Sequence, residues 1–95
     1  MAITQEILDK AIEISKQYEI TKLILFGSSL ENPQTADDLD LACEGHLGWN
    51  FFEYAARLDK ELNVKVDVIP LNSNSRFENY VRRVGKVIYE KRKSN

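Results

Sequence analysis

The sequence predicts a small α/β domain of the α+β kind, with a mixed sheet and helices packed on one face. Three observations predict it. Stretches with apolar residues at helical spacing alternate with short apolar runs of strand length. Gly, Asn and Pro stand at the joins between them. The 95 residues are enough for one core and no more, so residues 1–95 read as a single domain.

From Thr4 to Tyr18, Ile7, Ala11, Ile14 and Tyr18 form one helical stripe, with Leu8 and Ile12 beside it and Thr4 placed to cap the N-terminus. Lys22 to Phe26 is a buried strand that Gly27 ends. Ser28 to Ala36 is polar and reads as a loop with room for one helical turn. Leu39 to Cys43 is a second strand, with Leu39 and Leu41 on one face and Asp38, Asp40 and Ala42 on the other. After a turn at Glu44 to Gly48, Asn50 to Leu62 is a long helix. Asn50 and Glu53 have the spacing of a capping box, and Phe51, Tyr54, Ala55, Leu58 and Leu62 form the apolar stripe. Asn63 ends it. Val64 to Ile69 is the third strand: Val64, Val66 and Val68 face one way, Lys65, Asp67 and Ile69 the other, and Pro70 closes it. Ser75 and Glu78 suggest another capping box, opening a helix that buries Phe77, Val81 and Val84 and stops at Gly85. Lys86 to Tyr89 is a last short strand, and Glu90 to Asn95 a solvated tail. There are no repeats or low-complexity segments.

Composition narrows the function. The chain is 43% hydrophobic and 29% charged, with 13 basic against 15 acidic residues and a net charge of -2. A nucleic-acid binder would usually carry a basic excess. The single cysteine, Cys43, forbids an intrachain disulfide and fits a reducing compartment. Met1 to Lys10 contains Glu6 and Asp9 and no long apolar run, unlike a signal peptide. The longest apolar run, Leu23 to Phe26, is far too short to span a bilayer. A cytoplasmic location is expected.

The residues that suggest chemistry are acidic. Asp38 and Asp40 lie two apart on a strand and so point to one side, and Asp67 sits opposite the valine stripe of another strand. If those strands are neighbours, three carboxylates converge, and their repulsion is tolerable where a divalent cation neutralises it. Magnesium takes oxygen ligands and shares them with substrate phosphates. Two such ions can activate an attacking oxygen and stabilise leaving pyrophosphate. Directly after the first strand, Gly27, Ser28 and Ser29 offer a close backbone approach and donors for phosphate oxygens. Each piece alone is weak. An Asp-x-Asp arises easily among 15 acidic residues, Asp67 could face water on a one-sided sheet, and Gly27 could simply be a turn. Their order along the chain is the stronger signal.

That order resembles the minimal nucleotidyltransferases of the DNA polymerase beta superfamily. The matching stretches are Leu23 to Ser29 (LILFGSS), Asp37 to Leu41 (DDLDL) and Val64 to Ile69 (VKVDVI), and the likeness runs from the first helix to Tyr89. It implies that Gly27 and Ser28, with Ser29, grip the triphosphate of a nucleoside triphosphate, ATP foremost. It implies that Asp38 and Asp40 ligate magnesium, and that Asp67 completes the metal site and helps deprotonate the attacking hydroxyl. Small proteins of this group are often antitoxins of HEPN-domain ribonuclease toxins, and some transfer AMP to a tyrosine of the toxin. The implied role is that of an antitoxin with a HEPN partner that brings the acceptor. Many members also carry an Arg-Gly after the Gly-Ser; here Ser29 to Pro33 reads SLENP, and no Lys or Arg stands between Lys22 and Arg57. Two alternatives therefore stay open: neutralisation of the partner by contact alone, and nucleotidyl transfer to a small molecule such as an antibiotic.

Other residues read more plainly. His46, between glycines, is a solvated turn residue, and Cys43 a small buried apolar one. Trp49, Phe51, Phe52 and Tyr54 cannot all face inward on one helix, which leaves Trp49 or Phe52 for a partner interface. Arg76, Arg82 and Arg83 form a solvated face within reach of a phosphate or partner, and Lys91, Arg92 and Lys93 belong to the solvated tail.

Overall fold

A computed structural model describes residues 2–91. Helix α1, Gln5–Ser15, starts where Thr4 accepts the Ile7 backbone N–H through its side chain. It ends earlier than the apolar spacing suggests, because Gln17 and Tyr18 bond three residues back and tighten the chain into a turn. Strand β1, Ile20–Phe26, leads through Gly27 into the single turn of α2, Ser28–Glu31. Then follow β2, Asp38–Gly45, α3, Asn50–Leu62, β3, Lys65–Pro70, α4, Arg76–Val84, and the edge strand β4, Lys86–Glu90. Of the expected tail, residues 92–95 lie outside the described residues.

The sheet is mixed, with strand order β3-β2-β1-β4. β1 pairs antiparallel with β2 and β4, and β2 pairs parallel with β3. A parallel pair needs a long crossover, and α3 supplies it. On one face of the sheet, Leu23, Leu25, Leu39, Leu41 and Cys43 pack against Ala11 and Ile14 of α1 and Tyr54, Leu58 and Leu62 of α3. Within this core the Ser15 hydroxyl donates to the Ala11 carbonyl at 2.7 Å and lies 2.6 Å from the Tyr54 hydroxyl, tying α1 to α3 without leaving a polar atom unsatisfied.

The opposite face is divided. Ile24 and Ala42 are buried there with Leu71 and Val81, flanked by Phe26 and Ile69. This is the apolar end, and α4 covers it, so the helices do not all lie on one face as expected. Where the strands run on to Asp38, Asp40 and Asp67 the same face turns acidic, and Asp67 is exposed. A short helix over a patch this narrow can bury only one residue deeply. Val81 is that residue, whereas Phe77 and Val84, expected in the core, are 55% and 43% exposed.

Two caps also differ from expectation. α3 begins from the turn Leu47 to Trp49 without a side-chain cap, so the Asn50–Glu53 box is not its start. At α4, Ser75 does accept the Glu78 N–H, but the Glu78 carboxylate takes the N–H and hydroxyl of Ser73 instead of closing the box on Ser75. Asn63 ends α3 in the left-handed region at φ 59°, as its type favours.

Gly85 fixes how closely α4 sits on the sheet. A Cβ there would lie 2.4 Å from the Ile24 Cγ2 and 2.7 Å from the Val81 carbonyl oxygen. Its φ is an ordinary -74°, so the demand is for space alone. Gly85→Ala is therefore expected to destabilise the protein by about 1–3 kcal/mol through overpacking. Urea unfolding checks this, and an unchanged midpoint would contradict the close seat of α4.

Candidate active site

The register of three strands builds the acidic end of the face. Asp40 is paired with Asp67 on β3 and with Phe26 on β1, and Asp38 is paired with Lys65. Alternation along β2 and β3 then sets Asp38, Asp40, Lys65 and Asp67 on one side. The three carboxylates named from the sequence are brought together, with Asp40 between the other two.

Asp40 is half-buried and its acidity shows the crowding. Its pKa is raised, first by burial, then by the charges of Asp67 and Asp38, while Lys65 opposes the rise. Beside it, Gly27 has φ 70°, a region that costs any residue with a Cβ. Such a Cβ would also lie 2.6 Å from the Asp40 Oδ2. Gly27 is thus required twice, for the turn and for the space that the carboxylate occupies.

The structure separates the two serines after Gly27. Ser28 is exposed at the mouth of the turn. Ser29 is fully buried, and its hydroxyl donates to the Phe26 carbonyl at 2.9 Å and accepts the Asp40 N–H at 3.0 Å. Its side chain therefore does not grip a phosphate, as the sequence suggested; it pins α2 to β1 and holds Asp40 in place. The sequence could not show this, because the partner that satisfies Ser29 comes from another strand.

Lys65 and Phe26 were not singled out from the sequence. For Lys65 the signal was present: it stands two residues before Asp67 on the same strand and so shares its face. It is a cation of this site in a chain with no Lys or Arg near the Gly-Ser turn. Phe26 shares its face with Ile24 and so with Asp40, and its ring meets that of Phe77 edge-on, the centroids 6.3 Å apart.

The remaining candidates lie elsewhere. Burial pushes the Cys43 thiol up to about 12, which leaves it unreactive, and His46 is exposed in its turn. Trp49 is 87% exposed and stacks near Phe52, itself exposed, at the start of α3. Arg82 is held by Glu44 and Glu78, whereas Arg76 and Arg83 are exposed.

Among the described residues, no group of three or more His, Cys, Asp or Glu side chains is placed so that it could by itself hold a metal ion. The arrangement at Asp38, Asp40 and Asp67 is open. A hard cation bound at an open set of carboxylates would have to keep waters and complete its shell with phosphate oxygens.

A family model described as polymerase beta, nucleotidyltransferase matches residues 9–94. The chain belongs to the polymerase beta nucleotidyltransferase family. This nucleotidyltransferase domain is also similar in fold to chains of solved toxin–antitoxin complexes. One, from a toxin–antitoxin structure with AMP-PNP, is 23% identical with a TM-score of 0.72, covering 87% of this chain and 73% of that one. Another, from the complex MntA-HepT, is 21% identical with a TM-score of 0.70, covering 93% and 74%. A third comes from a tri-AMPylated Shewanella oneidensis HEPN toxin in complex with its MNT antitoxin; it is 22% identical with a TM-score of 0.69, covering 92% and 72%. No curated protein sequence matches the chain. No helix among the described residues is long and apolar enough to cross a membrane.

The crowding of Asp40 has a consequence for stability. Because its pKa is raised in the folded state, the folded protein holds the Asp40 proton more tightly than the unfolded chain does. That contribution is present below the unfolded value, about 3.9, and is lost as pH rises through the higher folded value. At pH 7 without divalent cations, Asp40→Asn should therefore unfold at a higher temperature than the parent. Each kcal/mol is worth roughly 4–8 °C in a domain of this size. Thermal melts in chelator check it, and a lower melting temperature for the variant would contradict the combined cost of burying the Asp40 charge and setting it beside Asp67 and Asp38.

Proposed function

We propose that the protein is a magnesium-dependent nucleotidyltransferase that moves AMP from ATP to a tyrosine hydroxyl of a partner HEPN toxin, acting as a cytoplasmic antitoxin. The observation that carries this reading is Asp40, set against Gly27 and directly across from Asp67. That repulsive arrangement destabilises the protein alone and becomes useful when a cation and phosphates occupy it. The family supports the reaction class. The fold neighbours, whose complexes contain AMP-PNP or an AMPylated HEPN toxin, support the nucleotide and the partner.

Asp38, Asp40 and Asp67 would hold magnesium, in one or two ions, which when bound neutralises the phosphates and stabilises departing pyrophosphate. Gly27 and the exposed Ser28 border the triphosphate. The acceptor oxygen attacks the α-phosphorus: its bond to phosphorus forms, the bond from the α-phosphorus to the bridging oxygen breaks, and pyrophosphate leaves. The Asp67 carboxylate, the more exposed of the facing pair, receives the hydroxyl proton. Ser29 fixes the Asp40 backbone throughout.

A second reading, neutralisation of the partner by contact alone, is favoured by the lack of Lys or Arg between Lys22 and Arg57 and by the exposed Trp49 and Phe52. Label transfer separates the two. The protein is incubated with magnesium, each α-labelled nucleoside triphosphate in turn, and lysate of its source cell, beside Asp40→Asn. One labelled protein band with ATP, reduced roughly 100-fold or more in the variant, is expected. No band from the parent would overturn the enzyme reading for a protein acceptor, and label in a small molecule instead would identify a different acceptor class.

A further inference from the structure

Phe77 is a large apolar side chain that α4 leaves 55% exposed on the same face of the sheet as the three carboxylates. Its ring is not loose. It packs edge-on against Phe26 at 6.3 Å between centroids, with the planes 77° apart. Phe26 is the direct cross-strand neighbour of Asp40 and immediately precedes Gly27. Cross-strand neighbours have Cβ atoms only about 5 Å apart. A row of neighbouring residues thus runs from Asp40 through Phe26 to the exposed ring of Phe77. The ribose and base of a nucleotide whose phosphates lie at Gly27 and Asp40 extend away from them, and this wall is an aromatic surface bordering that end of the face.

The rest of the site offers few cations near the Gly-Ser turn. No Lys or Arg follows the Gly-Ser turn to grip the triphosphate, and Lys65 is shared with the carboxylates it faces. An exposed aromatic face beside such a site can add affinity by stacking on a base.

We infer that Phe77, braced by Phe26, is the base-stacking platform of the nucleotide site. This rests on the proposed nucleotidyltransferase reading and assigns the nucleobase to the edge of α4. Phe77 is a binding residue and takes no part in proton transfer. Stacking alone tolerates any base, so a preference for ATP over the other triphosphates has to come from other contacts.

The test measures binding without turnover. With magnesium present, the affinities of the protein for ATP and for inorganic tripolyphosphate are compared by calorimetry, for the parent and for Phe77→Ala, Phe77→Leu and Phe77→Trp. Phe77→Ala and Phe77→Leu should raise the Kd for ATP roughly 10-fold or more and leave that for tripolyphosphate unchanged, and Phe77→Trp should retain ATP affinity. Thermal melts of the four proteins report whether the fold is kept; Phe77 is mostly exposed, so little change is expected. Equal ATP affinity in parent and Phe77→Ala would overturn the inference and leave the nucleotidyltransferase reading intact. Equal loss for ATP and tripolyphosphate would overturn it too, by showing a general disturbance of the site. Failure of the parent to bind either ligand would instead bring down the functional reading on which it rests.

Discussion

Asp40 has to keep a half-buried carboxylate beside a glycine that leaves it just enough room, with a second carboxylate facing it from β3 and a third two residues along its own strand. Satisfying that constraint shapes the surrounding chain. The turn at Gly27 must take a positive φ and must lack a Cβ. Ser29 must turn inward to receive the Asp40 N–H. The parallel register of β2 and β3 must set Asp40 against Asp67, since a slip of one residue would send one of them into the apolar core. The charge repulsion that results is tolerated because the cluster sits at the solvated end of the face, where water screens it.

The sheet resolves the conflict between stability and chemistry by dividing one of its faces. One side is wholly apolar and buried under α1 and α3, and it supplies most of the hydrophobic stabilisation. The other is apolar only under α4, where Val81 and Gly85 sit closely on Ile24, and acidic beyond it. α4 therefore has two roles. Its inner residue seals the small second core, and its exposed ring at Phe77 borders the open half of the same face. Placing a helix there brings an aromatic side chain to the border of the acidic end.

Much of this was legible in the sequence, for identifiable reasons. The strands around Asp40 and Asp67 show clean alternation, so the side on which each carboxylate points followed from the period of two. α1 and α3 carry broad apolar stripes, and Thr4, Asn63 and Gly85 mark ends where the structure has them. What was not legible depended on contacts between distant segments. Ser29 looked like a phosphate ligand because its two hydrogen-bond partners, at Phe26 and Asp40, come together only when β1 and β2 pair. Phe77 and Val84 looked buried because helical spacing does not reveal how wide a surface the helix meets. The face of the sheet that α4 covers could not be read from its own residues; it follows from the apolar patch that Ile24 and Ala42 leave uncovered on the side away from α1 and α3. Lys65 was visible by its spacing from Asp67 and needed only to be read as part of the same face.

The proposed site joins Gly27, Ser28, Asp38, Asp40 and Asp67 in binding a cation and a nucleotide together. The most direct measurement is a titration of the isotope-labelled protein with a non-hydrolysable ATP analogue, with and without magnesium, following backbone and carboxylate resonances. Shifts confined to Gly27, Ser28, these three aspartates, their neighbours and the Phe26–Phe77 pair are expected, appearing with the analogue and magnesium together and weak with either alone. Shifts centred elsewhere, for example around Trp49 and Phe52, or none at millimolar analogue, would contradict the proposed site.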